Sequence, residues 1–226
     1  MSNQDPNIII LHRWADREGN KLCAMSALSK KLGNYPLTDT PMEVNPGLAA
    51  LVNLLNDRAN DKARQLLVSR LDHIPNTGPT EICRLITSNF FPQVIEAHGF
   101  EAEANALADC TNRPALARAY TSLGERLLKP DGSGDLAGGC ITLAAALKTK
   151  DPIARDILAV SAASRVVYFE SGEGWFELLY ILDFILDLEE SPSQGGLTSM
   201  GDFYEYFGDE SPSSEEKEKP EDIEYF

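Results

Sequence analysis

Residues 45–58 read NPGLAALVNLLNDR, and that stretch decides the fold class. Asn45 offers a side-chain oxygen to the unpaired amides of a helix start, and Pro46, which has no amide to leave unpaired, suits the first turn. Leu48, Leu51, Val52 and Leu55 then recur at steps of three and four, which places them on one helical face.

The same grammar extends in both directions along the chain. Asn60 precedes Ala63, Leu66, Leu67 and Leu71, and Thr77-Gly78-Pro79 opens a run through Ile82, Leu85 and Ile86. Pro92 restarts that run, and Gly99 stops it as a left-handed cap. A short turn of helix over residues 101–110 follows. Asn112 and Pro114 open a helix to about Leu128, a glycine-rich loop over 131–135 leads into 136–147, Asp151-Pro152 opens 153–167, and Gly172 precedes a helix over 173–190. Residues 8–14 and 165–169 have the composition of short strands, but two such runs do not make a sheet.

Pro46, Pro79, Pro114 and Pro152 lie 33, 35 and 38 residues apart, the length of a two-helix unit in helical repeats. No shared residue pattern accompanies the spacing. The expected fold is therefore all-α: about eight helices in an irregular bundle or short array of antiparallel hairpins. The expected division is a helical domain over residues 1–190 and an acidic, disordered tail over 191–226.

Charge is distributed unevenly. Residues 1–169 hold 18 acids and 18 bases, whereas residues 170–226 hold 17 acids and only Lys217 and Lys219 as bases, so the whole formal charge of −15 sits in the last quarter. A neutral body without a basic run speaks against binding nucleic acid through phosphates and against anionic membranes. The stretch over 174–188 is the most apolar in the chain, yet it carries Glu177, Asp183 and Asp187, which a bilayer would not tolerate at mid-span. No membrane association is expected. Cys23, Cys83, Cys110 and Cys140 are far apart and form no CxxC pair, which reads as reduced core thiols in the cytoplasm.

The last helix and the tail carry the candidate contact residues. On a helical wheel Trp175, Leu178, Leu179, Ile181, Leu182, Ile185, Leu186 and Leu188 share one arc. The opposite arc alternates acid and aromatic, and Phe176, Tyr180, Asp183 and Asp187 are taken from it as partner-binding residues. Five acids on this face of the helix amount to roughly one charge per 5 Å, well below the duplex value of roughly one per 1.7 Å. In the tail, Phe203, Tyr204, Tyr206 and Phe207, and again Tyr225 and Phe226, place aromatic rings among acids. Rings of that kind anchor peptides in pockets, and a terminal carboxylate adds a further group for capture. In composition the terminal cluster resembles the acidic tips by which some single-strand-binding proteins recruit partners; the body lacks their basic groove and strand pattern.

Catalytic signals are weak by comparison. The loop over 131–135 starts like a calcium loop, but Leu136 stands where glycine is needed and Thr142 where a bidentate glutamate belongs. His12, His73 and His98 have no second His or Cys at helical metal spacing. His12 has the most reactive company, in Arg13, Trp14, Asp16 and Arg17, though a capping or packing role accounts for that segment. The expected function is a non-enzymatic interaction protein that engages a basic protein partner through its acidic–aromatic end and needs no cofactor. Two other readings stay open: an acidic mimic of DNA that inhibits a nucleic-acid-binding protein, and an enzyme with a site between helices.

Overall fold

In the computed structural model, residues 9–15, 21–75, 77–78, 80–128, 134–167 and 173–187 are described. By internal contacts the chain divides into 1–189 and 190–226, and every described residue belongs to the first unit. The tail aromatics from Phe203 to Phe226 lie outside the described residues.

The described residues form α1 (Ala24–Lys31), α2 (Pro46–Arg58), α3 (Asp61–Gln65), α4 (Ile82–Leu85), α5 (Phe91–Ala97), α6 (Glu101–Ala108), α7 (Arg113–Leu127), α8 (Asp135–Lys148), α9 (Pro152–Val167) and α10 (Glu173–Ile185). A π-helical turn over Ile86–Phe90 joins α4 to α5, and a 3-10 turn over Val68–Arg70 follows α3. The all-α reading holds for these residues. Their only β pairing is an isolated bridge between Leu11 and Leu22.

Side-chain caps set the starts of α2, α3, α7 and α9. Asn45 accepts from the amides of Gly47 and Leu48, Asn60 from Ala63, Asn112 from Ala115, and Asp151 from Ile153. Gly99 ends α5 at φ 84°, where a side chain would be strained. Several expectations fail locally, for physical reasons. The helix expected after Asn60 stops at Gln65, because Arg64 turns back to donate to the carbonyls of Asn56 (2.9 Å) and Ala59 (2.6 Å), closing the end of α2 instead. The Gln65 side chain bonds both backbone groups of Leu11, each at 3.0 Å, and the described residues 9–14 supply one bridge and no strand. Residues 165–167 are the last turn of α9, with Val166 and Val167 buried at helical spacing. The helix expected from Thr77 begins at Ile82, where Asp156 of α9 accepts from the amide of Cys83 (2.9 Å) and the hydroxyl of Thr80 (2.7 Å).

From α6 to α9 the chain runs as an antiparallel meander. Glu103 meets Arg126 between α6 and α7, Thr121 meets Lys148 between α7 and α8, and Gly138 meets Arg165 between α8 and α9. Small residues let these helices approach closely. A Cβ on Gly139 would stand 2.8 Å from the Phe91 ring, and one on Gly124 would stand 2.7 Å from Ile141. The π turn redirects the Thr87 carbonyl, which accepts from the buried Tyr120 hydroxyl at 2.7 Å.

The N-terminal helices close over this meander in a different sense. Gly47 lies against Asp156, while Leu54 and Arg58 share a groove with Val160 and Ser164, so α2 runs parallel to α9. Asn56, fully buried, accepts from the Ala24 amide at the start of α1 and donates to the carbonyls of His12 and Arg13. Arg84, Glu81 and other exposed charges add little to this, as is usual for solvated ion pairs.

Candidate interaction surface on the last helix

The sequence GWFELLYILDFI gives α10 apolar residues around most of its circumference. It packs against α2, α9, α4 and the π turn, so burial covers roughly 200° of the helix. Trp175, Leu178, Leu179, Ile181, Leu182 and Leu186 are buried. Trp175 donates its indole N–H to the Leu55 carbonyl at 2.7 Å and holds Phe176 edge-to-face, with ring centroids 5.1 Å apart. A Cβ on Gly174 would meet Phe90 and Val167 at 3.2 Å, so glycine lets the start of the helix seat closely.

The four described candidate residues, Phe176, Tyr180, Asp183 and Asp187, do not share one environment. Tyr180 (51% exposed) and Phe184 (59%) stand one turn apart on the outer strip. Asp187 is exposed just beyond the helix, at φ 54°, a left-handed conformation that ends the helix. Phe176 and Glu177 are half-buried at the margins.

Asp183 is not on this surface. It is 2% exposed and accepts from Arg70 in a two-pronged ion pair, Nε to Oδ1 at 2.6 Å and Nη2 to Oδ2 at 2.7 Å. The third nitrogen of Arg70 bonds the Leu66 carbonyl and Ser69. The buried arc is wider than the apolar stripe alone, and at its margin a carboxylate finds a guanidinium from the 3-10 turn. The signal was present at both ends: an acid inside ILDFIL, and an arginine beside Leu66, Leu67 and Leu71. Their separation of 113 residues kept the pairing out of reach of local pattern. With Asp183 inside, the outer acids are sparser still, and the comparison with duplex charge density weakens accordingly.

Other chemistry-bearing groups sit in the interior. Burial, with the Asp156 carboxylate adding to it, pushes the Cys83 thiol up to about 11, and burial pushes Cys140 up to about 12. Burial likewise raises Cys23, which contacts Ser26 (3.2 Å) and Asp39 (3.3 Å). Thiols held protonated at neutral pH are poor nucleophiles and metal ligands. Among the described residues no group of three or more His, Cys, Asp or Glu side chains is placed to hold a metal. No helix there is long and apolar enough to cross a membrane. Comparison with family models, with curated proteins and with solved structures found no match.

Proposed function

We propose that the protein is a non-enzymatic interaction module that offers the outer strip of α10 to a basic protein partner. The carrying observation is the pair Tyr180 and Phe184, two large rings more than half exposed on a helix whose other faces are sealed. Exposed aromatics flanked by polar groups are common anchors in protein interfaces. Glu177 and Asp187 border them, and the sequence from residue 170 onward carries 17 acids against two lysines, which supports a partner of positive charge. The aromatic clusters of residues 203–207 and 223–226 would supply a second, peptide-like contact. Four free cysteines, three of them buried, suit the reducing conditions of the cytoplasm.

Capture from a native lysate tests this reading. Full-length protein is compared with Tyr180→Ser/Phe184→Ser and with a chain ending at Glu190. A basic protein retained by the wild type, released by moderate salt and lost from the double variant supports the α10 surface. Loss only from the shortened chain moves the contact to the tail. An identical retained set in all three overturns the proposal.

A further inference from the structure

We propose that the outer face of α9, with Trp14 and Met42 beside it, is a surface on which a second copy of this chain docks antiparallel. Met42 (98% exposed), Ile153 (40%), Ile157 (41%) and Trp14 (64%) lie along the seam between α2 and α9. One depression, of about 430 Å³, holds Met42, Pro46 and Ile153 at the start of the two helices. The next, of about 350 Å³, holds Ala50, Ile157, Ser161 and Trp14 farther along. Ile153, Ile157 and Ser161 recur at every fourth residue, so they form one ridge of α9.

Two features of this strip select a second copy as its occupant. The first is symmetry. A two-fold axis crossing α9 at Ile157 sets that residue against its own copy, and Ile153 against the small Ser161 of the other chain. The same operation turns the Met42 end of one strip onto the Trp14 end of the other, so a thioether meets an indole at both ends. The second feature is area. The four large side chains leave roughly 500 Å² of apolar surface open on each copy, which is high for a monomer. Two copies together reach roughly the 1,000 Å² that a specific interface needs. Charged groups at the ends keep their contacts within the chain: Arg13 stays on the Trp14 ring, and Glu43 accepts from the Asn34 amide at 3.0 Å. Docking then hides apolar surface and leaves these contacts whole.

Sedimentation velocity on the full chain, from about 1 to 200 µM, provides the test. A monomer–dimer equilibrium with a Kd of about 10 µM is expected, and it should persist in about 0.5 M salt because apolar burial is not screened. Ile157→Arg, which places two like charges on the axis, should weaken the dimer at least about 100-fold, and Trp14→Lys or Met42→Glu about tenfold each. Combined in one chain, the last two should associate more tightly than either alone, since each meets its opposite across the axis. A short bismaleimide should join Ile157→Cys chains above the background of the native thiols, and should not join Tyr180→Cys chains. Circular dichroism melts confirm that each variant is folded. A monomer at every concentration overturns the proposal, as does a dimer dispersed by salt, kept by folded Ile157→Arg or lost in Tyr180→Ser/Phe184→Ser. Growth into assemblies larger than a dimer overturns it too, since that contact would not close on itself. A double variant no tighter than its singles overturns the antiparallel register.

Discussion

Helices α8 and α10 are both wedged among neighbours, yet they are held by opposite means. In α8 the sequence AGGC lets Gly139 seat between the Phe91 ring and the Ala162 carbonyl of α9, while Gly138 lies under the Arg165 side chain. In α10 the contacts are few and large: the Trp175 indole on Leu55, the Arg70–Asp183 pair, and leucines filling the space between. Close packing by small residues covers a helix on the sides its neighbours occupy. Anchoring by large groups fixes a helix from one side, and the far side is left for Tyr180 and Phe184.

The largest effect should come from the ion pair. Asp183→Ala strands a buried guanidinium and is expected to cost about 3–5 kcal/mol in urea unfolding, whereas Arg70→Met/Asp183→Leu should recover most of it. A loss below about 1 kcal/mol would erase the contrast by showing that apolar packing alone seats α10. For α8, Gly139→Val forces a Cβ against the Phe91 ring and should cost about 1–3 kcal/mol. Gly138→Ala meets only the flexible end of Arg165, and a helix-propensity gain of about 1 kcal/mol should offset that contact. Equal losses at the two glycines would mean that the close approach is not what holds α8.

Asp156 probes a third kind of joint, one carboxylate capping α4 from α9. Burial raises its pKa above the ordinary 3.8, with the bonds from Thr80 and Cys83 opposing. A raised folded-state value means that this contribution is fully present below pH 3.8 and is lost as pH rises through the folded value. Asp156→Asn should therefore flatten that part of the stability profile, while Asp156→Ala, which leaves the Cys83 amide unpaired, should cost about 1–3 kcal/mol at pH 7. Guanidinium melts from pH 3 to 7 distinguish the two. The smallest effect belongs to the outer strip: Tyr180→Ala/Phe184→Ala should change stability by no more than about 0.5 kcal/mol. A larger loss would make those rings part of the core and remove them as contact residues.

Asn45, Asn60, Asn112, Asp151 and Gly99 mark their boundaries in the sequence because a cap acts on amides or carbonyls only a few residues away. Helix α1 has no such mark: Cys23 makes no side-chain cap, and the Ala24 amide is met by Asn56 of α2. The Thr87 carbonyl within the π turn is met by Tyr120, more than thirty residues downstream, and Asp183 is met by Arg70. Periodicity identified Leu178, Leu179, Leu182 and Leu186 as inward but not the width of the buried arc, because that width is set by how many other helices arrive.

The parallel pairing of α2 with α9 has a consequence during synthesis. The leucine face of α2 leaves the ribosome about a hundred residues before its partner, an interval of roughly 5–20 s at ordinary elongation rates. Until α9 is made, the α9-facing side of α2 has no partner, which makes this segment a natural client for a ribosome-associated chaperone.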